Sequence, residues 1–199
     1  AAVMAGQGVE QYRHAEFQAS LAAFDRAIEL APDVPVYYTN KAVVYSAYPR
    51  YKQVRPEREC SLQTDMDYQV CLAVKAYLSN QQGLEARPLY WRSRVALAES
   101  AFNLQRYDES ARLLQEAVAS IPTSWPVRAR LGEVYVKTGR PGLALEHLEE
   151  SLAVTKDRGL SVPALVYLGR AYRDLGKPEQ AVQPLERSLK LEPLGAYTP

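Results

Sequence analysis

The sequence predicts an all-α fold in which about five helix-turn-helix units stack one on the next, the second carrying an insertion. Three observations predict it. RLGEVYVKTGRPGLA (Arg130 to Ala144) and YLGRAYRDLGKPEQA (Tyr167 to Ala181) repeat Leu-Gly, Tyr, Gly, Pro and Ala at matching offsets 37 residues apart, and self-similarity at periods of about 20 to 50 residues marks a stacked array. Pro88, Pro126, Pro163 and Pro178 stand where first helical turns are expected, and Gly139 and Gly176 where the first helix of a unit should stop, which is the usual asymmetry of helix starts and ends. Finally, each unit has one apolar stripe that it cannot bury alone, so its neighbours must cover it.

The units follow in order. The first, about 1–34, places Gly8, Phe24, Ala27 and Pro32 at positions 8, 24, 27 and 32. The second, 35–84, supplies Tyr38, Ala42 and Tyr45, is interrupted near 48–65, and resumes a helical pattern near Asp65 with Tyr68, Leu72, Ala73, Ala76 and Tyr77. The third, 91–124, gives Leu97, Ala98, Ala101, Tyr107, Ser110, Leu114, Ala117 and Pro122. In the fourth, 125–158, the same places hold Leu131, Gly132, Tyr135, Gly139, Ala144, Leu148 and Ser151; in the fifth, 162–195, they hold Leu168, Gly169, Tyr172, Gly176, Ala181, Leu185, Ser188 and Pro193. Small residues at positions 8, 20 and 27 let helices approach to about 8–10 Å, and larger ones at 7, 11 and 24 fill the gaps. Pro184 falls inside the last helix and is expected to kink it.

This pattern resembles the 34-residue tetratricopeptide repeat, over most of the chain and most strongly from Trp91 to Pro193. The resemblance implies a right-handed superhelical solenoid forming a single domain. Three departures stand out: Arg94 and Arg128 occupy position 4 in place of Trp, Gln7 replaces Leu, and the second unit is interrupted.

Composition narrows the function. Twenty-four basic and 23 acidic residues leave a net charge of +1, so no global field recruits nucleic acid or an anionic membrane. No apolar run reaches the roughly 18 to 20 residues of a bilayer span, which argues against direct membrane insertion. The N-terminus, AAVMAGQGVE, has neither an initiating Met nor a signal-peptide pattern, and reads as a processed product or an excised piece. His14 and His147 are the only histidines, and both read as solvated face positions. Glu146, Glu149 and Glu150 read as an exposed helix face. There is no phosphate loop, dinucleotide turn, HExxH helix or GxSxG elbow, so neither a cofactor nor a metal is expected. Most of the 14 tyrosines, Tyr45, Tyr135 and Tyr172 among them, fall on repeat core positions, so packing accounts for them better than stacking on bases or sugars.

The interruption holds Tyr48, Arg50, Tyr51, Lys52, Arg55 and Arg58, either a basic aromatic patch that touches a partner or a tolerated surface insertion, the latter favoured because long loops cost little extra closure entropy. Cys60 and Cys71, the only cysteines, lie eleven apart. A bridge between them would pin the loop to the following helix and requires an oxidising compartment, favouring the extracytoplasmic over the cytoplasmic face of a bacterial membrane. The alternative is two unrelated thiols.

The resemblance also implies where a partner binds: along the inner helix of each unit. Carried onto this sequence, it gives Ala5, Val9, Tyr12 and Arg13 in the first unit, Thr39 and Val43 in the second, Arg92, Val95, Glu99, Phe102 and Asn103 in the third, Ala129, Glu133 and Lys137 in the fourth, and Val166, Arg170, Arg173 and Asp174 in the fifth. Such a groove, small and apolar at first and charged later, suits an amphipathic protein or peptide segment. Glu99 and Glu133 put negative charge where a chaperone-tail carboxylate would need donors, so that subtype is disfavoured. The leading expectation is a non-enzymatic interaction scaffold. Alternatives are the soluble tail of a larger bacterial membrane-associated machine, such as an envelope glycan polymerase or secretion assembly, and a glycan-modifying enzyme built on Glu99 and Glu133. The last helix ends on an uncovered stripe of Val182, Leu185 and Leu189, which predicts self-association or further chain.

Overall fold

The computed structural model describes residues 1–47, 65–155 and 162–191, and among these every regular element is a helix. In chain order they are α1 (Ala2–Arg13), α2 (Phe17–Leu30), α3 (Pro35–Ala47), α4 (Asp65–Ala86), α5 (Trp91–Asn103), α6 (Tyr107–Ser120), α7 (Trp125–Lys137), α8 (Pro141–Thr155), α9 (Val162–Asp174) and α10 (Pro178–Leu191). The inner helices α3, α5, α7 and α9 begin on the residues expected to open the second to fifth repeats. Helix α4 starts at Asp65, where the helical pattern resumes, and runs for 22 residues against 14 or 15 in the other outer helices. The basic aromatic stretch from Tyr48 to Arg58, and Cys60 with it, lies outside the described residues.

By contacts the chain divides into two compact units, Ala1–Arg106 and Tyr107–Pro199. In the first, α1 packs on α2 and α3 on α4, α2 meets α3, and α4 meets α5. Phe17, Leu21, Phe24, Val44, Tyr68 and Leu72 belong to one buried cluster there. In the second unit α7 packs on α6, α8 and α9, and α9 on α8 and α10. Leu113, Leu114, Leu131, Val134, Leu148 and Leu165 are fully or almost fully buried.

Repetition is visible atom by atom at the turns. Residue 15 of four repeats, namely Ala15, Gln105, Gly139 and Gly176, has φ between 59° and 70°. Its N–H donates to the carbonyl three residues back, and the next N–H donates five back, as in Arg106 to Ala101 and Arg140 to Tyr135, both 2.8 Å. This is the Schellman ending, which satisfies helix carbonyls that otherwise have no partner and requires a left-handed residue. Glycine takes that conformation freely, whereas other residues incur about 1–2 kcal/mol. Gln105 is exposed, so Gln105→Gly should stabilise by about 1 kcal/mol and raise the melting temperature by roughly 2–4 °C. A scanning calorimetry trace with no rise would contradict this account of the turn.

The departures at position 4 also find a cause. Tyr38 Oη donates to the Pro32 carbonyl (3.0 Å), Arg94 Nη2 to that of Pro88 (2.8 Å) and Arg128 Nε to that of Pro122 (2.7 Å). In each case a side chain at position 4 ties down the turn six residues earlier, a task a guanidinium performs with donors to spare. Pro88 itself is not in a first helical turn as expected. It sits three residues ahead of α5, where its carbonyl accepts the Arg94 bond. Pro126, Pro163 and Pro178 do lie in first turns, and Pro184 lies inside α10, buried.

Candidate partner-binding faces

In the first unit, α1, α3 and α5 carry the expected binding residues. Val9 and Tyr12 are half-buried against the core, the Tyr12 ring tilted on that of Phe17 at 6.0 Å. Ala5 departs from expectation: with 8% exposure it belongs to the core cluster itself and offers no surface to a partner, because position 5 here faces inward. Arg13 is exposed, its Nη1 3.4 Å from Glu10 Oε2. Thr39 Oγ1 bonds back to the Pro35 carbonyl (3.4 Å), and Val43 is 45% exposed. On α5, Arg92 lies over the Trp91 ring at 5.1 Å, Val95, Glu99 and Phe102 are half-buried, and Asn103 is exposed.

Beside these residues opens a cavity of about 400 Å³, to whose lining Tyr45 and Ser46 of α3, Val70 and Ala73 of α4, and Asn103 and Leu104 contribute. No charged side chain is among its described lining residues. Matching the helix ends shows why it exists. Set against a 14-residue outer helix that ends at the same point, α4 has two extra turns before about Ala73, and Gln69, Val70 and Leu72 of these turns line the cavity together with Leu104 and Gln105 of the turn after α5. Cys71, half-buried on those turns, is disulfide-bonded; Cys60 lies outside the described residues.

In the second unit, the inner helices α7 and α9 present a different chemistry. Glu133 is only 12% exposed. Its Oε2 accepts from Arg130 Nη1 and its Oε1 from Tyr167 Oη, both at 2.5 Å, and Arg170 lies over the Tyr167 ring at 5.3 Å. Burial, and then the bond to Glu133, push the Tyr167 phenol above its ordinary range, so it stays protonated and donating. Asp174 accepts two bonds from Arg173, at 2.8 and 2.9 Å. The two carboxylates of this face are thus engaged by arginines and a tyrosine, while Lys137 and Arg173 are exposed and Arg170 half-exposed; Ala129 and Val166 are half-buried. Arg130 and Tyr167 escape the sequence reading, because both stand at position 6, outside the ligand positions that the repeat resemblance implies. The i, i+3 spacing of Arg130 and Glu133 was the available signal.

His147 also differs from expectation. It is half-buried, stacked on Tyr135 at 5.8 Å, with Nδ1 3.2 Å from Arg128 Nη1. Arg128 also pairs with Glu150. Burial, followed by the Arg128 charge, lowers the His147 pKa below its usual value. The cluster ties α7 to α8 and to the preceding turn; as a neutral ring wedged between Tyr135 and Arg128, His147 is a packing group. Glu146, Glu149 and Glu150 are exposed, as expected, although Glu149 accepts from Tyr172 Oη at 2.7 Å. Among the described residues no group of three His, Cys, Asp or Glu side chains could hold a metal ion, and no helix is long and apolar enough to cross a membrane.

Residues 74–124 and 126–191 match family models for the tetratricopeptide repeat, together more than half of the chain. The fold is also that of solved repeat proteins. A crystal structure of MamA protein aligns with a TM-score of 0.71 at 18% identity, over 100% of this chain and 97% of that one. YrrB, described as a TPR protein with an unusual peptide-binding site, aligns at 0.68 and 18%, over 96% and 85%. TTC0263, a thermophilic TPR protein of Thermus thermophilus, aligns at 0.63 and 19%, over 96% and 91%. These likenesses assign the all-α helical-repeat solenoid class.

Proposed function

Because the chain belongs to the tetratricopeptide repeat family, whose members are interaction scaffolds, we propose that its inner helices hold an extended peptide or helix of a protein partner without catalysing a reaction. The observation that carries this reading is the state of Glu133. Both of its oxygens are taken by Arg130 and Tyr167, so it is spent on shaping the face and the remaining character of α7 and α9 is cationic. An acidic stretch of partner suits that face, and an uncharged apolar side chain suits the cavity beside Tyr45 and Leu104 in the first unit. Glu133 is, by the same token, a poor general acid or base, which speaks against the glycan-modifying reading.

A second reading, the soluble tail of a larger bacterial membrane-associated machine, is favoured by the disulfide at Cys71. With Cys60 as its partner, the bridge belongs to an oxidising compartment.

The test is affinity capture from native extract with the wild-type chain and with an Arg170→Glu, Arg173→Glu double variant. Reversing two charges on the face should reduce recovery of a specific partner at least about tenfold, the order expected when like charges are brought together at an interface. Equal recovery by both proteins would remove the inner face of the second unit from the binding surface.

A further inference from the structure

Equivalent positions show what one hairpin covers on the next. At positions 21, 24 and 28 of the outer helix, α2 holds Leu21 (6% exposed), Phe24 (1%) and a half-buried Ile28. The same positions in α10 hold Val182 (52%), Leu185 (36%) and Leu189 (63%). Leu148, which stands in α8 where Leu185 stands in α10, is fully buried. The apolar stripe of α10 is therefore a repeat face that no following hairpin covers among the described residues, and exposed stripes of this kind mark interaction surfaces.

The complementary face is that of an inner helix. Positions 3, 7 and 10 hold Ser93, Leu97 and Ser100 in α5 and Ala164, Leu168 and Ala171 in α9, all buried. In α1, the first helix of this chain, they hold Val3 (72% exposed), Gln7 and Glu10. Glu10 is solvated and contacts Arg13 and His14. Seating α1 of one copy on α10 of another would bury that carboxylate and Gln7 against leucine, at a substantial desolvation cost. Head-to-tail stacking of copies is thus blocked by the first helix.

A second copy of α10 meets no such obstacle. The stripe is apolar along its length, so it is self-complementary about a two-fold axis. Charge selects the direction: α10 is acidic in its first turn, at Glu179, and basic in its last, at Lys190. Antiparallel pairing sets each Glu179 turn beside the other copy's Lys190 turn and opposes the helix dipoles favourably, whereas parallel pairing sets like against like. We propose that this chain forms a closed, two-fold dimer through antiparallel contact of α10 with α10, Val182, Leu185 and Leu189 forming the seam.

Sedimentation velocity of the 199-residue chain across a concentration series tests it. The expected result is a monomer–dimer equilibrium that stops at two. Leu189→Glu, at a 63% exposed site, should abolish it with the helical circular dichroism signal and melting curve retained. Lys190→Glu should weaken the dimer several-fold, and adding Glu179→Lys should restore it. Glu10→Ala should leave it unchanged. A chain that stays monomeric, because residues 192–199 or nothing at all cover the stripe, would overturn the proposal. So would open-ended growth, or a dimer indifferent to Leu189→Glu. Partner capture through α7 and α9 is read separately, so either proposal can fail while the other stands.

Discussion

Gly132→Ala is expected to destabilise the protein by about 2 kcal/mol and lower its melting temperature by roughly 4–8 °C, while Gly169→Ala leaves it nearly unchanged. Both glycines sit at position 8 inside an inner helix, and at both an added methyl gains about 1 kcal/mol of helix propensity. Both would also meet a leucine: Leu148 Cγ at 2.4 Å in one case and Leu185 Cγ at 2.5 Å in the other. The difference lies in what the leucine can do. Leu148 is fully enclosed, so it can yield only by straining its rotamer or moving backbone, whereas Leu185 is 36% exposed and can swing aside. Equal melting temperatures for the two variants would show that enclosure does not decide the cost of overpacking here.

The second large effect concerns the bridge at Cys71. Closing a loop of this length is worth about 3 kcal/mol in the chain-entropy account. Reduction should therefore add two hydrogens to the intact mass and weaken the first unit by an amount of that order. It should do so by loosening the extra turns of α4, where Tyr68 and Leu72 join the core. Amide exchange would locate the change: faster exchange between 65 and 72 after reduction, with α7 to α9 unaffected. An unchanged mass under reductant would dispose of the bridge, and with it the main support for an oxidising compartment.

The repeat framework was legible in the sequence because its signals are local and redundant. A start such as Trp91 or Trp125 is announced by a helical stripe, a proline ahead of it or at its second residue, and a small residue seven places on. Where signals were single they misled. Gly139 and Gly176 advertise left-handed turns, but Ala15 and Gln105 adopt the same conformation without the advertisement, because the Schellman bonds and the packing around them over-determine the backbone. The repeat pattern puts Ala5 on a binding surface, and only the packing of α1 on its own core shows that it is buried. His147 looked solvated because nothing local reveals Arg128 and Tyr135 beside it; both belong to another helix. The charge of the candidate face was hidden for the same reason. Glu133 is close to Arg130 in sequence, but Tyr167 reaches it from 34 residues away.

The seat formed by Gly169 and Leu185 repeats that of Gly132 and Leu148, except that among the described residues nothing encloses the second leucine. A helix pair engineered to pack on α10 would meet a receiving surface already formed by Val182, Leu185 and Leu189. Such a lengthened array should melt higher by one interface's worth of stability.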